Sequence, residues 1–199
     1  MARLADPVLA DRRRRQIMDA ALACFRRRGF HQATMQEICA EASISAGALY
    51  RYFGSKNEII AAIAEEFRGE EFDTFQRVAE REGLVEAMCQ AAEGFFSQCS
   101  GDSGALHSDV MAECLRDPAL ATTMARASAH AEALLAGALK DAQRAGKIAS
   151  DIDPSMAASI LLGAMEGIGL RQAFRDDADA ASAAEQFRSL CQRYLKPVS

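Results

Sequence analysis

The stretch from Thr34 to Glu58, TMQEICAEASISAGALYRYFGSKNE, leaves the chain few options. It reads as two short helices joined by a tight turn, followed by the start of a third. Thr34 with Glu37 three residues later is a capping-box start, and Met35, Ile38, Cys39 and Ala42 recur on one helical face. Ser43-Ile44-Ser45 then breaks the pattern with residues that favour turns and caps. That leaves Ser45 to cap a second helix, which carries Leu49 and Phe53 four apart. Ser55 with Glu58 repeats the capping box and opens the next helix.

The second of these helices has a distinctive outer face. With Leu49 and Phe53 turned to a core, Gly47, Ala48 and Arg51 face the opposite way, and Tyr50 and Tyr52 stand on opposite flanks. A helix seated in a DNA groove needs that layout. Small residues allow close approach, a guanidinium reaches guanine, and two phenol hydroxyls bond phosphates on either wall. The alternative is a plain helical hairpin with a partly exposed face. Against it, Gly47 costs such a helix roughly 1 kcal/mol relative to Ala for no structural gain.

At these residues the chain resembles the TetR family of bacterial transcriptional repressors. The similar segments are RRRRQIMDAALACFRRRGF, then T-x-x-E-I-x-x-x-A-x-x-S, then S-x-G-A-L-Y-x-Y-F-x-S-K-x-E, about the first third of the chain. The resemblance implies base or phosphate contacts from Thr34, Gln36, Ser45, Ala46, Gly47, Tyr50, Arg51, Tyr52 and Lys56, and the face reading adds Ala48. The family varies widely at the positions of Gln36, Ala46 and Arg51, so an operator sequence does not follow. Beyond this third the resemblance is architectural. It implies an all-α protein with a helix-turn-helix head in residues 1–55 and a helical ligand-binding and dimerisation body in residues 56–199.

The net charge of −5 looks wrong for a nucleic-acid binder until it is divided. Residues 1–56 hold 10 Lys/Arg and 5 Asp/Glu, a net of +5, whereas the remainder holds 13 and 23, a net of −10. The basic end is the phosphate-seeking one. Cys24, Cys39, Cys89, Cys99, Cys114 and Cys191 form no Cys-x-x-Cys pair, and most sit on apolar helical faces. They read as reduced thiols of a cytoplasmic protein, with a redox-sensing pair as the alternative. No signal peptide is evident, and neither a cofactor nor a metal site is expected.

Taken in order, residues 1–10 read as a flexible arm, and Asp11 as the cap of a helix with the stripe Ile17, Ala21, Cys24 and Phe25, ended by Gly29. Arg26, Arg27 and Arg28 suit that helix's negative end, whereas Arg12 to Arg15 oppose its dipole. Solvent or DNA phosphate could favour that tetrad. The helix from Ser55 passes Ile59, Ile60, Ile63 and Phe67 towards Glu80, with Gly69 either kinking or ending it. After Gly83 comes a helix with the face Val85, Met88, Ala92, Phe95 and Cys99, then a loop at Ser100-Gly101-Asp102-Ser103-Gly104. Gly-Asp-Ser-Gly is shared with the nucleophile loop of trypsin-like proteases, but here no strand or placed His and Asp accompanies it.

A short helix is expected over Leu106 to Leu115. Asp117-Pro118 then opens a long one with Leu120, Met124, Ala127, Ala131, Leu134, Ala138 and Ala142 at 4-3 spacing, ended by Gly146. Asp153-Pro154 starts another, to Phe174, whose apolar run holds Glu166 and is marginal for a bilayer. An acidic turn at Asp176-Asp177 leads to a last helix with Ala183, Phe187, Leu190 and Tyr194.

These two terminal helices are the candidates for a four-helix dimer interface, through Ile160, Gly163, Ala164, Gly167, Phe187, Leu190 and Tyr194. A pocket for a small hydrophobic effector is expected among Phe95, Phe96, Cys99, His107, Met111, Cys114, Met124, His130, Met165 and Glu166. The expected partners are therefore an operator duplex, an effector and a second copy of the chain, with no membrane. Two other classes stay open: a helical ligand-binding or adaptor protein without DNA binding, and a small hydrolase. The intact Tyr50, Tyr52 and Lys56 set disfavours the first, and no Ser/His/acid or Cys/His grouping supports the second.

Overall fold

The computed structural model describes residues 7–99, 101–172, 175 and 179–196. Among them the chain is helical with no strand, and the helices pack around two apolar cores, one in the head and one in the body. The head contains α1 (Pro7–Arg28), α2 (Met35–Glu41), α3 (Ala46–Leu49) and the first turns of α4 (Lys56–Glu82). The body adds α5 (Leu84–Gln98), α6 (Gly101–Cys114), α7 (Pro118–Arg144), α8 (Pro154–Gln172) and α9 (Ala180–Leu195).

Most helix boundaries follow local chemistry. Asp117 caps α7, its Oδ1 accepting from the Ala119 and Leu120 amides at 2.8 and 3.1 Å, with Pro118 in the first helical position. Asp153 and Asp179 cap α8 and α9 in the same manner, through the Met156 amide and through the Ala181 and Ser182 amides. Gly29 at φ +79° ends α1, and Gly83 at φ +97° is the one-residue joint between α4 and α5. Both angles lie in the region that disfavours any side chain.

Three expectations are corrected. The first helix starts at Pro7, not after Asp11, so residues 7–10 are helical rather than part of an arm; residues 1–6 lie outside the described residues. Proline supplies no amide and has a fixed φ, so it is at home in the first turn. Of the two readings left open at Gly69, it does not end α4, which runs on to Glu82. A single glycine costs a 27-residue helix only about 1 kcal/mol, too little to stop it. The Gly-Asp-Ser-Gly stretch is the first turn of α6, not a loop. The buried stripe of α7 departs from the expected one part-way along: Leu120 and Ala142 are buried as expected, but between them Leu135 and Leu139 are buried while Leu134 and Ala138 are half-buried. A straight helix drifts away from a strict 4-3 repeat, so a stripe chosen on that repeat slides partly off the core along its length. Phe174 and the acidic turn at 176–177 lie outside the described residues.

The body core is built on α5 and α9. Met88, Ala92 and Phe96 from α5 meet Ala183, Phe187 and Cys191 from α9, with the Phe96 and Phe187 rings edge-on at 6.4 Å. Leu135 and Leu139 of α7 and Ala158 and Leu161 of α8 close the cluster. Burial pushes the Cys99 thiol up to about 11 and the Cys191 thiol up to about 12, and raises those of Cys24, Cys89 and Cys114. Raised in this way, the five thiols ionise less readily than a free cysteine and pack as small apolar side chains. No helix among the described residues is long and apolar enough to cross a membrane.

At the edge of this core Arg188 of α9 grips Glu86 of α5 through two bonds, Nη1 to Oε2 at 2.6 Å and Nη2 to Oε1 at 3.3 Å. The guanidinium donations hold the Glu86 carboxyl below the usual carboxylate range. The bridge therefore contributes stability above the ordinary glutamate pKa and loses it as pH falls through the lowered one. Glu86→Gln should cost about 1–2 kcal/mol at neutral pH. Chemical denaturation across a pH series should show the variant and the parent converging in acid.

Candidate nucleic-acid interface

The head presents one face built on a buried platform. Ile17, Ala21, Cys24 and Phe25 of α1 pack with Ile38 and Cys39 of α2, Leu49 and Phe53 around α3, and Ile59, Ile60 and Ile63 of α4. The loop after α1 is held by an aromatic pair, Phe25 and Phe30, with ring centroids 5.0 Å apart.

Above the platform, α2 begins with the full capping box. Thr34 Oγ1 accepts from the Glu37 amide at 3.2 Å, and Glu37 Oε2 accepts from the Thr34 amide at 2.9 Å. Those donations keep the Glu37 carboxyl below its ordinary pKa, with Arg28 adding to the effect. Ser43 carries the turn to α3 in the left-handed region at φ +53°, and Ser45 Oγ accepts from the Ala48 amide at 3.2 Å. α3 proper is a single turn, Ala46–Leu49, extended by the Tyr50 amide donating to Ala46 O and the Phe53 amide donating to Leu49 O.

Leu49 and Phe53 are 0 % and 2 % exposed, and the opposite side of this segment is open. Ser45, Ala46, Gly47, Tyr50 and Arg51 are exposed there and Ala48 is half-buried, with Thr34 and Gln36 of α2 exposed as well. Tyr50 is 55 % exposed, whereas Tyr52 is partly buried against the head core, so the two tyrosines are not equivalent flanks. A Cβ added at Gly47 would meet nothing within 4 Å, so no packing inside the chain calls for glycine there.

The basic residues behind this face have partners within the chain. Arg13 donates to Gln16 Oε1 at 2.7 Å, the Arg14 guanidinium lies 4.6 Å from the Phe53 ring centroid, and Arg15 pairs with Glu66. At the other end of α1, Arg27 and Arg28 pair with Glu41 and Glu37 of α2 at 2.8 and 3.1 Å. These arginines orient α1 against α2 and α4.

Lys56 differs most from its expected setting. Its Nζ donates to the carbonyls of Phe30, His31 and Ala33 at 2.7, 2.8 and 3.4 Å and lies 4.8 Å from the Phe30 ring centroid. An ammonium has three donors, and all three are engaged in closing the loop between α1 and α2. Burial lowers the Lys56 pKa, and the nearby Glu113 carboxylate opposes that shift.

Sequence reasoning missed the joint between head and body. Asp109 of α6 accepts from the Phe30 amide through Oδ2 at 3.1 Å, and the same oxygen lies 3.1 Å from where a Cβ on Gly29 would be. Glu113 Oε2 and Arg116 Nη1 each lie 3.3 Å from His31 Nε2. Asn57 of α4 donates to Asp117, the cap of α7. Leu106, Val110 and Leu120 enter the head core from α6 and α7. One signal was legible: Asp109 is a carboxylate set between apolar positions 106 and 110 of an amphipathic helix.

The expected effector residues fall into separate groups. Phe95, Phe96, Cys99 and His107 come together where α5 ends and α6 begins, with Phe95 5.4 Å from the His107 ring, and Met165 packs against the same core. Cys114 and Met124 instead pack against the head core. Met111, His130 and Glu166 are exposed; partial desolvation and the neighbouring Glu132 raise the Glu166 carboxyl.

On α8, Met156, Ile160 and Leu170 are 62 %, 44 % and 41 % exposed and share a side with the exposed Gly163 and Gly167, while Ala164 is half-buried. Leu190 and Tyr194 of α9 are also half-buried. Phe187, expected at an interface, is 3 % exposed and packs on Phe96, because it shares the inward side of α9 with Ala183, Ala184 and Cys191.

The sequence matches two family profiles that together span most of the chain: bacterial regulatory proteins of the tetR family over residues 17–63, and the C-terminal part of BetI-type transcriptional repressors over residues 86–196. The chain belongs to the TetR family of transcriptional regulators. The HTH-type transcriptional regulator UidR of Escherichia coli strain K12 is 30 % identical over 177 residues, covering 89 % of this chain and 90 % of UidR. The solved structure of Salmonella enterica GusR is 31 % identical and superposes with a TM-score of 0.78, covering 97 % of this chain and 98 % of GusR. SmeT, the repressor of the Stenotrophomonas maltophilia multidrug efflux pump SmeDEF, shares the fold; its triclosan complex superposes with a TM-score of 0.72 at 22 % identity, covering 94 % of this chain and 92 % of SmeT.

In this TetR-family head the Lys56 clamp has a measurable consequence. Lys56→Met removes the shared donor of three loop carbonyls and should lower stability by about 1–3 kcal/mol in the absence of DNA. A thermal-unfolding curve unchanged from the parent would place the role of Lys56 outside the fold.

Proposed function

We propose that this TetR-family regulator represses transcription in the cytoplasm as a homodimer on a palindromic operator, is released by a small, largely apolar effector, and catalyses no reaction. The observation that carries this reading is the open face of α2 and α3. Thr34, Gln36, Ser45, Ala46, Gly47, Ala48, Tyr50 and Arg51 lie over a platform whose buried members fix their orientation. Gly47 has free space above it, so a duplex can approach the backbone. Arg51 is placed for a base edge and Tyr50 for a phosphate. Tyr52 and Lys56 act mainly from beneath, by holding the segment and the loop beside it.

Pairing is supported by the outward stripe of α8, Met156, Ile160, Gly163, Gly167 and Leu170, an apolar surface that a second copy would cover, with Leu190 and Tyr194 of α9 beside it. Two heads so joined meet half-sites about 34 Å apart. Effector control follows from the joint. Because α6 both borders the Phe95 and His107 cluster and bonds the Phe30 amide through Asp109, a ligand that shifts α6 acts directly on the loop between α1 and α2. It changes operator affinity by its differential binding to the two arrangements, and by no more. SmeT with triclosan is an instance of an effector-sized molecule bound to this fold.

The reading is tested on a palindrome selected from a random duplex pool. Arg51→Ala should cost roughly 1–3 kcal/mol of binding and relax preference at one base pair. Tyr50→Phe should instead weaken all sequences alike, and affinity should fall steeply with salt. A flat salt response, or an unchanged base preference in Arg51→Ala, would contradict this reading. Asp109→Ala should keep operator affinity within about threefold while blunting release by effector, because it cuts the link without touching the face. Release as complete as the parent's would move the coupling elsewhere.

A further inference from the structure

Among the described residues, Gln172 is the polar side chain that the fold buries, at 6 % exposure. It is the last residue of α8, on the inward side with Leu161 and Gly169, and its Oε1 has no hydrogen-bond partner. Ser108 of α6, next to His107, holds a second such oxygen: its Oγ is buried and unpartnered. One turn before Gln172, Gly169 brings the α8 backbone against α5, where an added Cβ would lie 2.5 Å from Phe95 Cε1 and 3.1 Å from Cys99 Sγ. The Phe95 ring in turn meets the His107 ring edge-on at 5.4 Å. The end of α8, the end of α5 and the start of α6 thus meet around the Phe95 ring, with one unpaired buried oxygen on α8 and another on α6.

We propose that the effector is a neutral molecule with an apolar body and a hydrogen-bond-donating hydroxyl or amide group, and that Gln172 Oε1, helped by Ser108 Oγ, reads that group. The inference rests on the effector-controlled reading above and names the class of effector. A leucine or methionine would fill the position of Gln172 without desolvating an amide, so glutamine there is a liability to stability unless a donor meets it. A pure hydrocarbon would leave Oε1 unpaired. An anion would enter without a counter-charge, since no Lys or Arg is buried among the described residues and burial keeps the His107 ring neutral by lowering its pKa. Phe95 is half-buried and lies directly on the α8 backbone at Gly169, so its ring stands between α5 and α8 at this end.

The test uses the full chain and three probes of matched shape: 4-propylphenol, propylbenzene and 4-propylbenzoate. Calorimetric titration should find the phenol bound about tenfold more tightly than propylbenzene, the worth of one hydrogen bond to a buried acceptor, and the benzoate bound weakest. In Gln172→Leu the phenol should fall to the level of propylbenzene, propylbenzene should bind as before, and the unfolding temperature should not drop. Ser108→Ala should narrow the preference by a smaller factor and serves as the second variant should Gln172→Leu not fold. Equal affinity for phenol and propylbenzene, tightest binding of the benzoate, an unchanged preference in both variants, or no binding of any probe would each overturn the proposal. A protein that recognises its selected palindrome but ignores the phenol overturns this inference alone. One that binds the phenol through Gln172 but no palindrome overturns the regulator reading and leaves the handle standing.

Discussion

The head is joined to the body by a hydrogen bond between parts of the chain 79 residues apart, from the Phe30 amide to the Asp109 carboxylate. Gly29 must be left-handed for α1 to stop there, and that turn leaves the Phe30 amide without a helical partner. Asp109 supplies one from α6. Around this bond the head core is completed by Leu106, Val110 and Leu120, which the head does not own. The head is thus not an independent unit resting on the body; its apolar interior is closed by the body's α6 and α7. A displacement of α6 must be felt in the head because it would open a packed core, and packed interiors do not deform continuously.

Lys56 and Asp117 extend this economy. Lys56 opens α4 and ties together three carbonyls of the loop between α1 and α2, while Asn57 beside it reaches the Asp117 carboxylate that caps α7. Two successive residues of α4 therefore fasten the reading head on one side and the body on the other. Arg13, Arg14, Arg15, Arg27 and Arg28 of α1 work similarly, their charges directed at Gln16, Phe53, Glu66, Glu41 and Glu37. Exposed pairs of this kind add little stability, but they orient long side chains and leave the head's net positive charge in place to attract a duplex.

Local chemistry was the legible part of the sequence. Capping motifs at Thr34, Ser45, Ser55, Asp117 and Asp153 place helix starts because the cap depends on residues within one turn, and the inward positions of α1 and α2 follow from period alone. Long-range choices were hidden. Nothing local distinguishes Leu134 from Leu135 as the buried member of α7, or assigns Phe187 to the body core rather than to an interface. For Lys56 the family resemblance implies a base or phosphate contact. That it faces Phe30, His31 and Ala33 depends on how α1 and α4 cross, which no spacing encodes. Asp109 and Gln172 escaped for the same reason: each is one polar residue in an apolar helix face, and the partner, or lack of one, lies on another helix.

Three features depart from what stability alone would select. Gly47 sits at an exposed helix start where no Cβ contact forbids alanine, α8 shows Met156, Ile160 and Leu170 to solvent, and Gln172 carries an unpaired oxygen into the body. Each costs the isolated chain something, and each would be relieved by a different contact: a duplex against the backbone at Gly47, a second chain over α8, a donor group at Gln172. The first lies on α3 and the other two on opposite sides of α8, one outward and one inward, so no single packing constraint accounts for them. Departures so separated and so differently relieved fit a molecule whose most stable state is an assembly, in which the joint at Asp109 lets occupancy of one site bear on another.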